Sequence, residues 1–159
     1  MKMSLLFICF FCFINSHAQK IEAWKINKIN EFISTHENDI NIINFWATFC
    51  KPCVEELPYF IKLSQKPNAQ KINLILVSLD TKAEYQKKIT SLINKQHYIS
   101  NFKWLDETNA DYFCPIIDSN WSGSIPATLI INKQKGFKKF IESSLTEEEL
   151  SNYIKAATL

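Results

Sequence analysis

The chain contains no arginine: all 18 basic residues among its 159 are lysines. That removes the planar, bidentate fork favoured in phosphate and base recognition. Against 16 acidic side chains the formal charge is only +2. Nothing in that balance draws the chain to nucleic acid. Glycine is nearly absent as well. Gly123 and Gly136 are the only two, which excludes a glycine-rich phosphate loop. There is no internal repeat and no low-complexity linker. A chain of this length is expected to form one domain with a core of its own, without disulfides for bulk stability.

The N-terminus has the makeup of a secretory signal. Lys2 supplies the positive charge, residues 3–14 are apolar, and Ser16 and Ala18 are small residues suited to cleavage after Ala18. The apolar run is short for a bilayer span; the alternative is an uncleaved N-terminal membrane anchor. Cys9 and Cys12 do not follow the small residue that lipid attachment requires, and they read as apolar filler. The expected organisation is a signal peptide at 1–18, an N-terminal helical segment at 19–38 and the main domain at 39–159. Export to the periplasm or another extracytoplasmic compartment means an oxidising environment.

The informative stretch is Asn44-Phe45-Trp46-Ala47-Thr48-Phe49-Cys50-Lys51-Pro52-Cys53-Val54-Glu55-Glu56-Leu57-Pro58. Before it, Ile40, Ile42, Ile43 and Phe45 read as a buried strand; after it, Val54, Leu57, Phe60, Ile61 and Leu63 recur at helical spacing. The two cysteines therefore stand where a strand becomes a helix. A helix start carries unpaired N–H groups and partial positive charge. Thiolate is the reactive form of cysteine, and a helix N-terminus favours it. Cys50 is expected to be the exposed nucleophile and Cys53, one turn in, the resolving thiol. Pro52 suits the first helical turn. Lys51 is expected to stabilise a nearby thiolate.

Elsewhere the periodicity predicts a helix over residues 21–36 and a helix over 52–64, kinked at Pro58 and stopped by Lys66-Pro67-Asn68. A central parallel strand follows over 72–79, then a polar helix over 82–95 and a short strand over 102–105. Residues 109–121 read as a short helix and a loop. A hairpin over 127–132 and 137–142 turns at Lys133-Gln134-Lys135-Gly136. The last helix starts near Leu145, with Thr146 as N-cap and Glu149 completing a capping box. Asp118, Trp121 and Glu147 to Glu149 read as solvated or capping residues.

The segment Phe45-Trp46-Ala47-Thr48-Phe49-Cys50-Lys51-Pro52-Cys53, continued by Glu55-Glu56-Leu57-Pro58, resembles the active-site segment of TlpA/ResA-type extracytoplasmic thiol–disulfide oxidoreductases of the thioredoxin superfamily. Gly123-Ser124-Ile125-Pro126-Ala127-Thr128 resembles that family's cis-proline loop. The resemblance covers residue 39 to the C-terminus. It implies an α/β thioredoxin fold: a central mixed β-sheet flanked by helices, with a central αβ insertion. It implies a cis Ile125–Pro126 bond facing the cysteines, where Ile125 pairs with an extended substrate, and Trp46 flanking the active site. Most thioredoxins carry a buried Asp on the strand before the active-site helix; Asn44 stands there and cannot titrate. The TlpA/ResA branch instead carries Glu three residues after the second cysteine, here Glu56, as proton-transfer group. Glu55 is its solvated neighbour.

The function expected is reduction of disulfides in exported proteins, such as apocytochrome c in cytochrome c biogenesis, by exchange through a redox-active Cys50/Cys53 pair. A potential of roughly −270 to −180 mV fits such chemistry. The implied partners are protein disulfides or dithiols and a membrane protein that donates thiol electrons. A monomer without cofactor is expected. Alternatives for the pair are a structural disulfide or half of a zinc site, but zinc needs two more ligands. Only Cys114, His36 and His97 remain after the signal, at no ligand-like spacing. Cys114, in an apolar setting, reads as a buried inert thiol. A thioredoxin-fold peroxidase lacks its threonine motif around Cys50, where Thr48 has the wrong spacing. A non-catalytic binding or chaperone module does not need the intact pair.

Overall fold

A computed structural model describes residues 20–67 and 71–159. The signal peptide, its cleavage after Ala18 and the readings of Lys2, Cys9 and Cys12 lie outside the described residues, as does Asn68 in the predicted helix stop. In chain order the elements are β1 (Glu22–Trp24), α1 (Ile26–Thr35), β2 (Ile40–Trp46), α2 (Lys51–Ser64), β3 (Ile72–Ser78), α3 (Tyr85–Gln96), β4 (Phe102–Leu105), α4 (Ala110–Ile117), β5 (Ala127–Asn132), β6 (Phe137–Ile141) and α5 (Glu147–Thr158). They build one six-stranded sheet in the order β1-β4-β3-β2-β5-β6. The strands from β1 to β2 are parallel; β5 runs antiparallel to β2, and β6 to β5. This is the mixed sheet expected.

Each face of the sheet buries its own cluster. α2, α3 and α5 cover one with Leu57, Phe60, Ile89, Ile93, Leu150 and Ile154. α1 and α4 cover the other with Ile26, Ile29, Ile33, Phe113 and Ile117. Strand β2 is buried at every residue because both faces are covered. Its side chains alternate between them: Ile42 and Trp46 join the α2 side, Ile43 and Phe45 the α1 side. Asn44 thereby shares the α2 side.

Two expectations are corrected. The predicted helix over 21–36 is a strand followed by a helix, so the segment 19–38 is not purely helical: β1 pairs in parallel with β4, setting Glu22 opposite Lys103. Ile21 and Trp24 fall in the clusters on opposite faces of the sheet, as strand alternation requires and one helical stripe does not allow, and the cross-strand charge pair at 2.7 Å supports the strand. The helix predicted over 52–64 is present as α2, with Pro58 inside it and exposed. Trp121 is buried, with its ring against Phe45 and Phe113, because the loop after α4 folds onto the sheet.

The capping box forms as predicted. Thr146 Oγ1 accepts from Glu149 N, and Thr146 N donates to the Glu149 carboxylate. Thr146→Ala is expected to lower the unfolding free energy by about 1 kcal/mol, measured by urea denaturation; an unchanged midpoint would mean that α5 is held by packing alone.

Candidate active site

Strand β2 ends at Trp46, and the chain turns through Thr48 and Phe49 into α2. Cys50 is the N-cap of that helix, and its sulfur accepts a hydrogen bond from Cys53 N at 3.3 Å. Cys50 is half-buried and Cys53 fully buried. The two are joined as a disulfide, the oxidised form of the pair. The amide contact and the positive end of α2 both favour an anion on Cys50 once the bond is reduced. Across the site the Ile125–Pro126 bond is cis, and the Ile125 carbonyl oxygen lies 3.8 Å from Cys50 Sγ.

Glu56, one turn beyond Cys53, is buried to 2% exposure. Its Oε1 accepts from Asn44 Nδ2 at 2.9 Å and its Oε2 from Leu145 N at 2.8 Å. Burial pushes its carboxyl from 4.5 up to about 6, because a buried charge loses its water; the two N–H donors oppose that rise. Asn44 Nδ2 also donates to Thr128 Oγ1, which leaves Asn44 Oδ1 without a partner among the described residues. A cleft of about 360 Å3, lined by Pro52, Glu55, Glu56, Tyr59, Leu145 and Thr146, opens beside this group. Solvent thus reaches the neighbourhood of a carboxyl that is itself nearly enclosed.

Three residues to which the sequence assigns no chemistry, Asp80, Trp121 and Glu142, position the loops. Asp80, two residues beyond β3, is buried. Its carboxylate accepts from Thr48 N at 3.0 Å, from Thr48 Oγ1 at 2.5 Å and from Ser78 Oγ at 2.7 Å. This ties down the turn just ahead of Cys50. The sequence signal was a carboxylate at the carboxyl end of a parallel strand, where sites of open α/β sheets gather. Trp121 Nε1 donates to Ser124 O, and the Glu142 carboxylate accepts from Ser122 N and Ser124 N. Both hold the loop that presents Ile125.

Pro52 occupies the first turn of α2. Lys51 forms an exposed ion pair with Glu55 at 3.8 Å, which offsets part of its charge; Glu55 is thus ion-paired rather than simply solvated. Trp46 lies in the core with its ring edge-on to Phe102, in the cluster that contains Cys53. Cys114 is buried, and burial, aided by the charges of Glu142 and Asp111, pushes its thiol above the ordinary range.

Residues 14–139 match the model of the AhpC/TSA family. The thiol-disulfide oxidoreductase ResA of Geobacillus thermodenitrificans (strain NG80-2) is 24% identical over 114 residues, 72% of this chain and 60% of the relative. ResA of Bacillus anthracis is 26% identical over 116 residues, 73% of this chain and 62% of the relative. The chain thus spans about 60% of the length of these curated relatives. Among solved structures, a thioredoxin-related protein from Neisseria meningitidis serogroup B superposes with a TM-score of 0.66 at 21% identity, covering 79% of this chain and 90% of that one. StoA from Bacillus subtilis gives 0.56 at 21% identity, over 75% and 84%. A secreted Mycobacterium tuberculosis disulfide oxidoreductase gives 0.58 at 14% identity, over 77% and 85%. The fold is therefore that of thioredoxin-like proteins.

Proposed function

The chain belongs to the AhpC/TSA family, and from that premise and the cysteine pair we propose that it is a thiol–disulfide oxidoreductase that reduces disulfides of exported proteins. The observation that carries this reading is the sulfur of Cys50 at the first turn of α2, 3.8 Å from the Ile125 carbonyl. A substrate chain laid along Ile125 and Pro126 as an added strand would bring its own disulfide to that sulfur.

In the reduced protein the Cys50 thiolate attacks one substrate sulfur. The substrate disulfide breaks, a mixed disulfide forms, and the departing substrate thiolate takes up a proton. Cys53 then loses its proton and attacks Cys50 Sγ. The Cys50–Cys53 bond forms, and the second substrate thiol leaves with a proton. Two electrons and two protons pass to the substrate. Glu56 is the group that takes the Cys53 proton: it is three residues away on one helix face, and its carboxyl at about 6 exchanges protons near neutrality. The amide of Asn44 serves either state of that carboxyl. Its Nδ2 donates to the carboxylate, and a half-turn would offer its otherwise unpartnered Oδ1 to the protonated acid.

A thiol donor must restore the dithiol. We assign that role to a membrane protein that carries thiol electrons, place the protein outside the cytoplasm after cleavage behind Ala18, and take apocytochrome c before haem attachment as a substrate of the right class. The protein acts as a monomer. No helix among the described residues is long and apolar enough to cross a membrane.

With dithiothreitol as donor, the protein is expected to reduce insulin disulfides and not to consume hydrogen peroxide above the donor's own rate. Peroxide consumption without insulin reduction would make it a peroxidase instead; neither activity would leave a binding module.

A further inference from the structure

The site has a second concave surface, on the opposite flank of α2 from the Glu56 cleft. This groove, about 370 Å3 in volume, runs between the turn before Cys50 and helix α3. It is lined by Phe49, Lys87, Lys88, Ser91, Leu92 and Lys95, with Thr48 at its inner end. The α3 residues recur three and four apart and so form one helix face. Lys88 is ion-paired with Glu84 at 2.9 Å. Lys87 and Lys95 have no acidic partner among the described residues, and both are exposed.

Phe49 is 68% exposed, immediately before the reactive sulfur. The backbone just before it is anchored, because the N–H and hydroxyl of Thr48 are both bonded to buried Asp80. An exposed aromatic ring thus shares one groove with two unpaired ammonium groups and the side chain of Leu92. The lining of the cleft across α2 has no lysine and holds Glu55, Glu56 and Glu147, with Glu55 paired to Lys51 and Glu147 to Lys62. The unpaired positive charge beside the disulfide therefore stands on the α3 flank, and that asymmetry orients an acidic chain.

We propose that the groove is a docking subsite for an acidic segment of the substrate protein adjoining its cysteine. Substrate carboxylates meet Lys87 and Lys95, and one apolar substrate side chain covers Phe49. The inference rests on the thiol–disulfide reading and narrows its substrates to proteins with acidic flanks. Interactions of this kind act on encounter and register and are screened by salt.

The test uses two peptides of equal length, each with one internal disulfide and a Phe beside its first cysteine, flanked by three Glu in one and three Lys in the other. At low salt the ratio of kcat/KM for the Glu peptide over the Lys peptide is expected to be about tenfold. In 0.5 M NaCl it should fall below about twofold. In the Lys87→Glu/Lys95→Glu variant the ratio should drop to one or invert. Lys135→Glu/Lys155→Glu makes the same charge change at the far end of the sheet and should leave the ratio as it is. Anisotropy of labelled peptides with Ser for both cysteines measures docking without chemistry, and the Glu peptide should bind the parent about fivefold tighter than the groove variant. Equal treatment of the two peptides by the parent, in rate and in binding, overturns the proposal. So does a preference that survives in the groove variant. If the parent fails to reduce the small uncharged disulfide bis(2-hydroxyethyl) disulfide, the thiol–disulfide reading fails, while the anisotropy still decides the groove.

Discussion

Cys50→Ser is expected to reduce insulin turnover to the rate of dithiothreitol alone, whereas Cys53→Ser is expected to yield a protein that accumulates covalent adducts. The difference follows from position. Cys50 is the half-buried N-cap, with its sulfur already accepting an N–H from the helix, so it is the sulfur a substrate reaches. Cys53 is fully buried one turn in and reaches only the Cys50 sulfur. Without Cys50 no mixed disulfide forms. Without Cys53 the first step still occurs, but its product is not resolved. Mass spectrometry after incubation with a peptide disulfide should find the adduct on the peptide that contains Cys50. Cys114 should stay unmodified, because it is buried and its thiol is held above the ordinary range. Adducts on Cys53 in the Cys50 variant, with none in the Cys53 variant, would exchange the two roles. In the native host, the Cys53→Ser protein would hold its physiological partner for identification.

Glu56→Gln should slow exchange near neutral pH on the order of 10²-fold, the typical scale of a lost acid–base group. Glu55→Gln, which only breaks an exposed ion pair, should change the rate little. The dependence of iodoacetamide reactivity on pH should shift for the first variant alone; curves that superimpose on the parent's would remove Glu56 from proton transfer. Stability supplies a second readout with a definite sign. The Glu56 carboxyl stands at about 6 in the folded protein against 4.5 for an ordinary one. The folded state therefore holds this proton more tightly than the unfolded chain. The associated stability is fully present below about pH 4.5 and is lost as pH rises through about 6. The loss is about 2 kcal/mol. Gln has no such titration, and half-turns of its amide and that of Asn44 keep a donor–acceptor contact between them. Urea unfolding of both oxidised proteins at pH 4.5 and pH 7 should show the parent losing about 2 kcal/mol relative to Glu56→Gln. Parallel behaviour would mean that the carboxyl titrates in the ordinary range.

What could be read from the chain follows from the range over which its residues act. The strand–CxxC–helix junction, the Thr146 capping box and the hairpin after Ala127 are each specified within a few neighbouring residues, and all three are present in the structure. The identity of Glu56 as a candidate came from helical spacing combined with family resemblance. Its burial did not, because half of its environment is Leu145 N, 89 residues away. Trp121 was misread as solvated for a similar reason: its partners Phe45 and Phe140 come from strands elsewhere in the sheet.

The sequence by itself therefore determined the local chemistry: two cysteines one helical turn apart at a helix start, and a carboxyl one turn further on. Only the tertiary structure decided what surrounds them. The order β3-β2-β5 lays three strand ends side by side. That brings Asp80 to Thr48 across 32 residues and Ile125 to Cys50 across 75. A hydrogen bond acts over about 3 Å, whereas the spacing along the chain between such partners is set by the elements that intervene. No periodicity within either segment encodes their meeting. It follows from strand order, which emerges when both faces of the sheet are buried together.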